Sequence, residues 1–521
     1  MIRKLLAILA GLVIALAVML AILLNSPLPD MPRPGVSGDF LIRNVAVIDV
    51  RNDQVVTGRD VVVRDGRIES IGTSTPASGP SGLVVVDGTG KFLAPGLWDM
   101  HVHSLKISPQ YTHPLFIANG VTGVREMWGC TPLPDSFAAC GEDIERWRKG
   151  LRDHSVLAPR YIQRSSHQIN GASGVSAAAP AFFKARNADE ARALVAHHAA
   201  DGVDSLKTYS QLSVAGYEAL AAEAPKHGLL LGGHLPVRVS LEQAIAAGQH
   251  SIEHPDLFLR VCKRDAAAIR ALPDPKAASD IGVRARLIDE HDPKRCAELM
   301  AAMAASDTWW TPTLVALRVR ALAGNREFRE DPRRRYIPFI VMQTLWEMEA
   351  DRTADRTAKA AQESGRDVPT ELYQLMLDNV RQAHAAGVKI VAGTDAPETY
   401  VFPGFAIHDE LAELVRAGLS PADALRSATI DAARFTGQTR EYGSIEVGKV
   451  ADMLLLDANP LTDIRNTGKI AGLFFNGQYL DRAALDELLA FAEDQAGSIR
   501  ANVQILWGAL GSPVLRGQVA D

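Results

Sequence analysis

Cysteine is scarce in this chain: there are four in 521 residues, and none stands in C-x-x-C spacing. That spacing excludes a zinc ribbon, which needs thiolates paired close in sequence. Long runs of Lys and Arg are absent, and the formal net charge is -6. A nucleic-acid binder, which needs a positive stripe facing phosphates, is thereby excluded. Internal repeats and low-complexity tracts are also missing. What remains is ordinary globular composition, 47 % hydrophobic and 22 % charged. Such a length suggests two to four domains, or one barrel with additions.

One long apolar run is present. Arg3 and Lys4 precede an unbroken stretch from Leu5 to Leu24, which as a helix spans about 30 Å, roughly the hydrocarbon thickness of a bilayer. A secretory core is usually shorter, no small-x-small cleavage site follows, and no Cys lies nearby for lipid attachment. The expectation is an uncleaved signal-anchor with everything after Asn25 exported to the periplasmic side, secretion after cleavage being the alternative. Pro27, Pro29, Pro32 and Pro34 then read as an extended spacer. In an oxidising compartment the four cysteines permit three pairings, among them Cys130 with Cys140 and Cys262 with Cys296, and sequence does not choose.

From Phe40 to Leu93 short β-runs (Leu41–Val50, Val61–Val63, Leu83–Val86) alternate with turn signals such as Asp65-Gly66 and Asp87-Gly88. From Ala94 to Phe435 short apolar runs alternate with Ala-rich helical stretches, the pattern of a parallel α/β fold. Eight strands are predicted, near Leu97–Val102, Val121–Met127, Arg160–Arg164, Ser205–Tyr209, Leu229–His234, Ser251–His254, Trp309–Val315 and Ile390–Thr394. Eight such strands with intervening helices predict a (β/α)₈ TIM-type barrel. The stretch from Lys263 to Ala386 is long for two β/α units and reads as inserted helices, either a lid or a plain elaboration. β-texture returns at Ala451–Leu456 and in a hairpin, Leu473–Asn476 with Gln478–Leu480, around Gly477. The expected division is 1–30 membrane segment, 31–94 first part of a β-sandwich, 95–436 barrel, 437–480 second part of the sandwich, and 481–521 a helix and tail.

Chemistry concentrates at predicted strand ends. Asp99-Met100-His101-Val102-His103 closes the first barrel strand, and its two His at i and i+2 share a face. Neutral imidazoles so placed suit zinc and similar ions. Lys207, His234, His254 and Asp395 close four more strands. Singly, each reads more readily as a surface Lys, a satisfied His or a capping Asp. Their recurrence at the ends where barrel enzymes keep their chemistry, in a chain with 14 His, argues otherwise. Tyr209 shares a strand face with Lys207 and serves either packing or substrate binding; His167 and Arg125 are further candidates for the pocket, with Glu126 beside Arg125. His408-Asp409-Glu410-Leu411 is neither a zincin motif, for want of H-E-x-x-H spacing, nor a retention signal, being internal.

The order H-x-H, Lys, His, His, Asp on strands one, four, five, six and eight resembles the amidohydrolase superfamily. Pro95-Gly96-Leu97-Trp98-Asp99 and the returning Gly443–Asp452 and Leu454–Asp457 segments are similar to that family's too. Lys207-x-Tyr209 and Gly393-Thr394-Asp395-Ala396 look like its imidazolonepropionase-like branch, which includes Xaa-Pro dipeptidases, carboxypeptidases and ochratoxin-type amidases. The loop at His167 departs from that branch's T-G-G-H-G pattern, so substrate contacts are not carried over to it.

The resemblance implies two divalent metal ions, zinc by preference: His101, His103 and Asp395 for one, His234 and His254 for the other, and Lys207 bridging as a carbamate formed with carbon dioxide. It implies hydrolysis of a C–N bond in an amide, cyclic amide or dipeptide, with Asp395 as general base and Tyr209 on the substrate. The runner-up keeps the metals but attacks a lactone, ester or phosphoester; a third reading is an inactive membrane-tethered binding protein. Expected partners are a small molecule or short peptide, the membrane, and further copies in a homo-oligomer.

Overall fold

The computed structural model describes residues 2–75, 82–131, 133–171 and 184–518. Seventeen strands follow one another: β1 (Val36–Ser37), β2 (Phe40–Asp49), β3 (Gln54–Arg64), β4 (Arg67–Thr73), β5 (Val84–Asp87), β6 (Phe92–Pro95), β7 (Leu97–Val102), β8 (Val121–Glu126), β9 (Arg160–Ile169), β10 (Ser205–Thr208), β11 (Leu230–Gly233), β12 (Ser251–Glu253), β13 (Trp309–Thr311), β14 (Lys389–Ile390), β15 (Met453–Leu456), β16 (Ile470–Phe475) and β17 (Gln478–Asp481).

The two ends of the chain meet in one nine-stranded sheet, ordered β1-β17-β16-β15-β6-β2-β3-β4 with β5 on β2. Its seam is the antiparallel pairing of β6 with β15, Leu93 opposite Leu455 and Ala94 opposite Leu454. The hairpin β16–β17 turns on Asn476 and Gly477, both left-handed (φ 50° and 73°). Such a two-residue turn matches strand twist and favours Asn-Gly.

β7 to β11 form a parallel sheet in chain order, and β12 to β14 form another. Both gaps between them are crossed by backbone hydrogen bonds. His250 N–H donates to Leu231 O (2.7 Å) at one, and Met100 N–H to Ala392 O (2.9 Å) and Asp395 N–H to His101 O (2.8 Å) at the other. The parallel strands thus make a curled array. β7 and β8 are buried at every residue, as expected of strands covered on both faces. The chain passes from sheet to array at Gly96, between β6 and β7.

Two expectations are corrected here. The strand predicted over Trp309–Val315 stops at Thr311, because Thr313 is left-handed (φ 46°) and a helix, Leu314–Leu322, begins at once. Glu410 accepts from Leu314 N–H (3.0 Å) and Val315 N–H (2.9 Å), filling the helix's unpaired first donors. The single helix and tail expected after residue 480 is instead Arg482–Gly497, Ile499–Gly511 and Pro513–Gln518. Ser498 breaks the first pair apart, with extended backbone and a side chain that caps Ala501 N–H.

The stretch after Lys263 is helical as expected, through Ile281–Asp289, Pro293–Ala304, Glu347–Ser364 and Val368–Ala385. Both disulfides exist, Cys130–Cys140 and Cys262–Cys296. The apolar run forms a helix, Ile2–Asn25, with mean hydropathy 3.1 over its most apolar window and none of its residues buried.

Candidate metal centre

Strand periodicity puts Asp99 and His101 on one face of β7, and His103 follows one residue past its end. From the far side of the array, Asp395 reaches the same point. Its approach requires a close crossing at Gly393, where a Cβ would stand 2.6 Å from the Thr311 methyl and 2.9 Å from His101 Cβ. Asp99 locks the crossing: its carboxylate accepts from Thr394 Oγ1 (2.6 Å) and Thr394 N–H (3.0 Å). Burial pushes Asp99 up to about 7. Asp395 and His254 both adopt positive φ, 68° and 74°. Side-chain-bearing residues seldom do so, and such strain gathers at functional sites.

The result is a tight convergence. His101 Nε2 and His103 Nε2 each lie 3.3 Å from Asp395 Oδ1. All three atoms are buried, and none has a hydrogen-bond partner among the described residues. Leaving three such atoms unpaired is costly unless something binds them. Their ligand atoms lie within 4.8 Å of one another, the arrangement that holds a divalent cation. Both histidines are fit to be ligands: burial holds His103 well below its ordinary pKa, hence neutral, and His101 Nδ1 lies 3.0 Å from Glu253 Oε2. With that nitrogen donating to the carboxylate, Nε2 keeps its lone pair for a metal.

Glu253 is in turn gripped by Arg125, whose Nη2 lies 2.8 Å from Oε2. Burial alone would raise Glu253, but Arg125 and His101 outweigh it and hold the carboxyl well below the usual range. Arg125 also donates to Met100 O (2.6 Å) and Ser251 Oγ (3.0 Å). This corrects the expectation that Arg125 contacts substrate: its guanidinium is consumed beneath the histidines and is absent from the cavity wall. Glu253 was the residue overlooked in the sequence. Its signal was an acid inside a short buried strand, with a basic residue in β8 to match it.

A second cluster adjoins the first. The His254 ring centroid is 5.0 Å from that of His101 and 4.6 Å from that of His234. His254 Nδ1 lies 3.6 Å from Asp395 Oδ2 and 3.1 Å from Thr313 Oγ1. His234 Nδ1 lies 2.7 Å from Ser210 Oγ, and Tyr209 stacks on its ring at 4.0 Å. Burial lowers His234 well below the ordinary value and His254 to about 4, so both are neutral at pH 7. Lys207 is buried, which lowers its amine. Burial alone would raise Asp395, but His101, His254, His103 and Lys207 hold it below the usual carboxylate range.

These groups open on a cavity of about 510 Å³, whose wall includes His103, Lys207, Tyr209, His234, His254 and Asp395. His101 lies behind it, and so does His167, buried with Nδ1 3.1 Å from Trp128 O. The opposite wall carries Arg284 and Arg320.

The family model described as "Amidohydrolase family" matches residues 339–480. Among curated proteins, the adenine deaminase of Ligilactobacillus salivarius is 34 % identical over 88 residues, 16 % of this chain and 14 % of that one. The dihydroorotase of Carboxydothermus hydrogenoformans is 38 % identical over 105 residues, 19 % of this chain and 23 % of that one. The chain therefore spans less than a quarter of the length of these two relatives. Solved structures match far more of it. A provisionally named prolidase of Bifidobacterium longum is 25 % identical, with TM-score 0.60, over 88 % of this chain and 99 % of its own. Bottromycin amidohydrolase is 22 % identical, with TM-score 0.67, over 92 % and 93 %. Residues 339–480 thus match the amidohydrolase family, and the chain as a whole is similar in fold to solved amidohydrolases.

Proposed function

We propose that the protein is a membrane-anchored, binuclear metal-dependent hydrolase that cleaves the C–N bond of a small amide, cyclic amide or dipeptide. The observation that carries this reading is the meeting of His101 Nε2, His103 Nε2 and Asp395 Oδ1, buried and without hydrogen-bond partners among the described residues. They would hold one divalent ion, zinc by donor type. His234 and His254 would hold a second, through the nitrogens that Ser210 and Thr313 leave free. Lys207, on the same cavity wall, would supply the neutralising charge for both ions. Its lowered pKa favours the neutral amine, the form that adds to carbon dioxide. An anionic carbamate there offsets the repulsion between two dications, whereas an ammonium would add to it.

When bound, the ions lower the pKa of water toward neutrality and polarise the scissile carbonyl. Asp395 takes the proton of the attacking water and returns it to the leaving nitrogen. Tyr209, on the cavity wall beside His234, orients the substrate. A volume of about 510 Å³ suits a small ligand. Arg284 and Arg320 add positive charge to the wall, offset in part by Asp256, and favour a substrate bearing a carboxylate.

We read the curled array as a closed (β/α)₈ barrel over 95–436; the backbone bonds across both gaps support closure. The nine-stranded sheet is read as a sandwich, in support of which Phe40, Ile42, Val61, Leu93, Met453 and Phe474 share one core. The inserted helices act as a lid, since Arg284, Glu349 and Met376 come from them. The helix Ile2–Asn25 crosses the membrane, and the disulfides suit an exported domain.

The test is the metal content of the full chain purified without added metal or chelator. About two divalent ions per chain are expected, falling to one or none in Lys207→Ala. One ion unaffected by Lys207→Ala would remove the bridge and leave a mononuclear mechanism. No metal at all would end the hydrolase reading.

A further inference from the structure

The helix Ile499–Gly511 contains a single charged residue, Arg500. Its inner face, Ala501, Ile505 and Gly508, is buried against the body of the protein, where Ser136 Oγ donates to Gly508 O at 2.9 Å. Its outer face is apolar as well. Ile499, Val503, Leu506, Trp507 and Leu510 follow the spacing i, i+4, i+7, i+8, i+11, which aligns them on one side of a helix. Four of them stand in solvent: Ile499 is 73 % exposed, Leu506 42 %, Trp507 58 % and Leu510 67 %. Phe339, 64 % exposed, extends the patch, because Ile340 N–H donates to Asn502 Oδ1 (2.7 Å) on the same helix. Scattered exposed apolar residues need no explanation, but an apolar face this continuous on a soluble surface does.

The polar edge of this helix says what lies against it. Gln504 Nε2 donates to Leu23 O (2.9 Å), in the last turn of the N-terminal apolar helix, and to Ser26 O (2.8 Å), just past its end. Arg500 Nη1 donates to Pro27 O (2.8 Å). Farther along the same segment, Gln110 Nε2 reaches Pro29 O and Arg33 Nη1 reaches His154 O. The segment expected to stand the domain away from the membrane is therefore fastened to the domain, beginning at the very end of the bilayer-length helix. Any bilayer that contains Leu5–Leu24 ends beside Gln504, within reach of the apolar face one helical turn away.

We infer that the outer face of Ile499–Gly511, with Phe339, lies in the headgroup–acyl boundary of the phospholipid bilayer crossed by the N-terminal helix. The domain is then held at two points, anchor and surface helix, and keeps one orientation to the membrane. Trp507 is of the residue type enriched at that depth, and burying an apolar helix face in this boundary is favourable. The inference rests on the membrane-anchored reading of Ile2–Asn25.

The experiment uses the full chain reconstituted in phosphatidylcholine vesicles, with an NBD fluorophore on a single introduced thiol, Leu510→Cys. Val447→Cys, another exposed apolar position (63 %) but on the 443–448 turn, is the control. Flotation with the vesicles reports the anchor, and quenching by lipids carrying a shallow nitroxide reports the surface helix. The expected result is flotation of both, with quenching of the 510 label at least twofold above that of the 447 label. Flotation with equal quenching at the two positions would overturn the surface contact and leave the anchor standing. Concentration-dependent energy transfer between 510 labels on different chains, without lipid quenching, would give the face to a second copy instead. Failure to float would overturn the anchor and the surface contact together.

Discussion

The two histidine clusters of the proposed metal centre are built on different principles. His101 Nε2, His103 Nε2 and Asp395 Oδ1 converge without hydrogen-bond partners among the described residues, and His101 is held from behind by a buried ion pair, Glu253 with Arg125. His234 and His254 are held by neutral hydroxyls, Ser210 and Thr313, and face the cavity. A buried ion pair fixes geometry strongly, because losing either partner strands a charge. A hydroxyl fixes it weakly, because water can replace it. One half is preorganised by charge; the other, in the proposed binuclear site, would depend on what Lys207 supplies.

That contrast can be broken in graded steps. The largest effect is expected from Asp395→Asn, which keeps an oxygen donor but no base. Turnover of N-acyl amino acids should fall by about 10²–10⁴-fold with metal content retained. Equal turnover in both proteins would remove Asp395 from the chemistry. Arg125→Ala should come next, costing about 3–5 kcal/mol in urea unfolding of the metal-free chain, because Glu253 is left buried and alone. A cost under ~1 kcal/mol would mean that the ion pair does not organise this half.

The pH dependence sharpens the same point. Glu253 is held below its ordinary value of 4.5, so its contribution is full above that pH and is lost as pH falls through the lowered value. The difference in unfolding free energy between the native chain and Glu253→Gln should stay level from about pH 7 to pH 5 and shrink below about pH 4.5. A difference still undiminished near pH 3 would argue against the pairing. The smallest effect belongs to the second half: Ser210→Ala should weaken metal affinity by about tenfold, at the mild end for partners of ligating histidines. If chelator titration gives Ser210→Ala a larger loss than Arg125→Ala, the proposed asymmetry is reversed.

The strand-end residues His101, His103, Lys207, His234, His254 and Asp395 were legible in the sequence because strand periodicity is local. An i, i+2 pair shares a face wherever the strand lies, and apolar runs mark where strands stop. Thr313 was misread because nothing local announces its left-handed backbone. The helix that begins there is capped by Glu410, 96 residues on, a partner that only folding supplies. Arg125 was misassigned for the same reason, since a buried Arg and a pocket Arg look alike until the acid opposite is known.

By itself, then, the sequence determined the apolar N-terminal helix, the parallel α/β texture, the return of the chain's end to its first sheet, and the candidate ligand residues. Each is written in composition or in short-range periodicity. Tertiary structure alone decided which cysteines pair, which imidazole nitrogen stays free, that Arg125 serves Glu253 and not the cavity, and that the proline segment is strapped to a helix near the other end of the chain. Those depend on contacts between residues far apart in sequence, whose energies exist only once the strands are brought side by side.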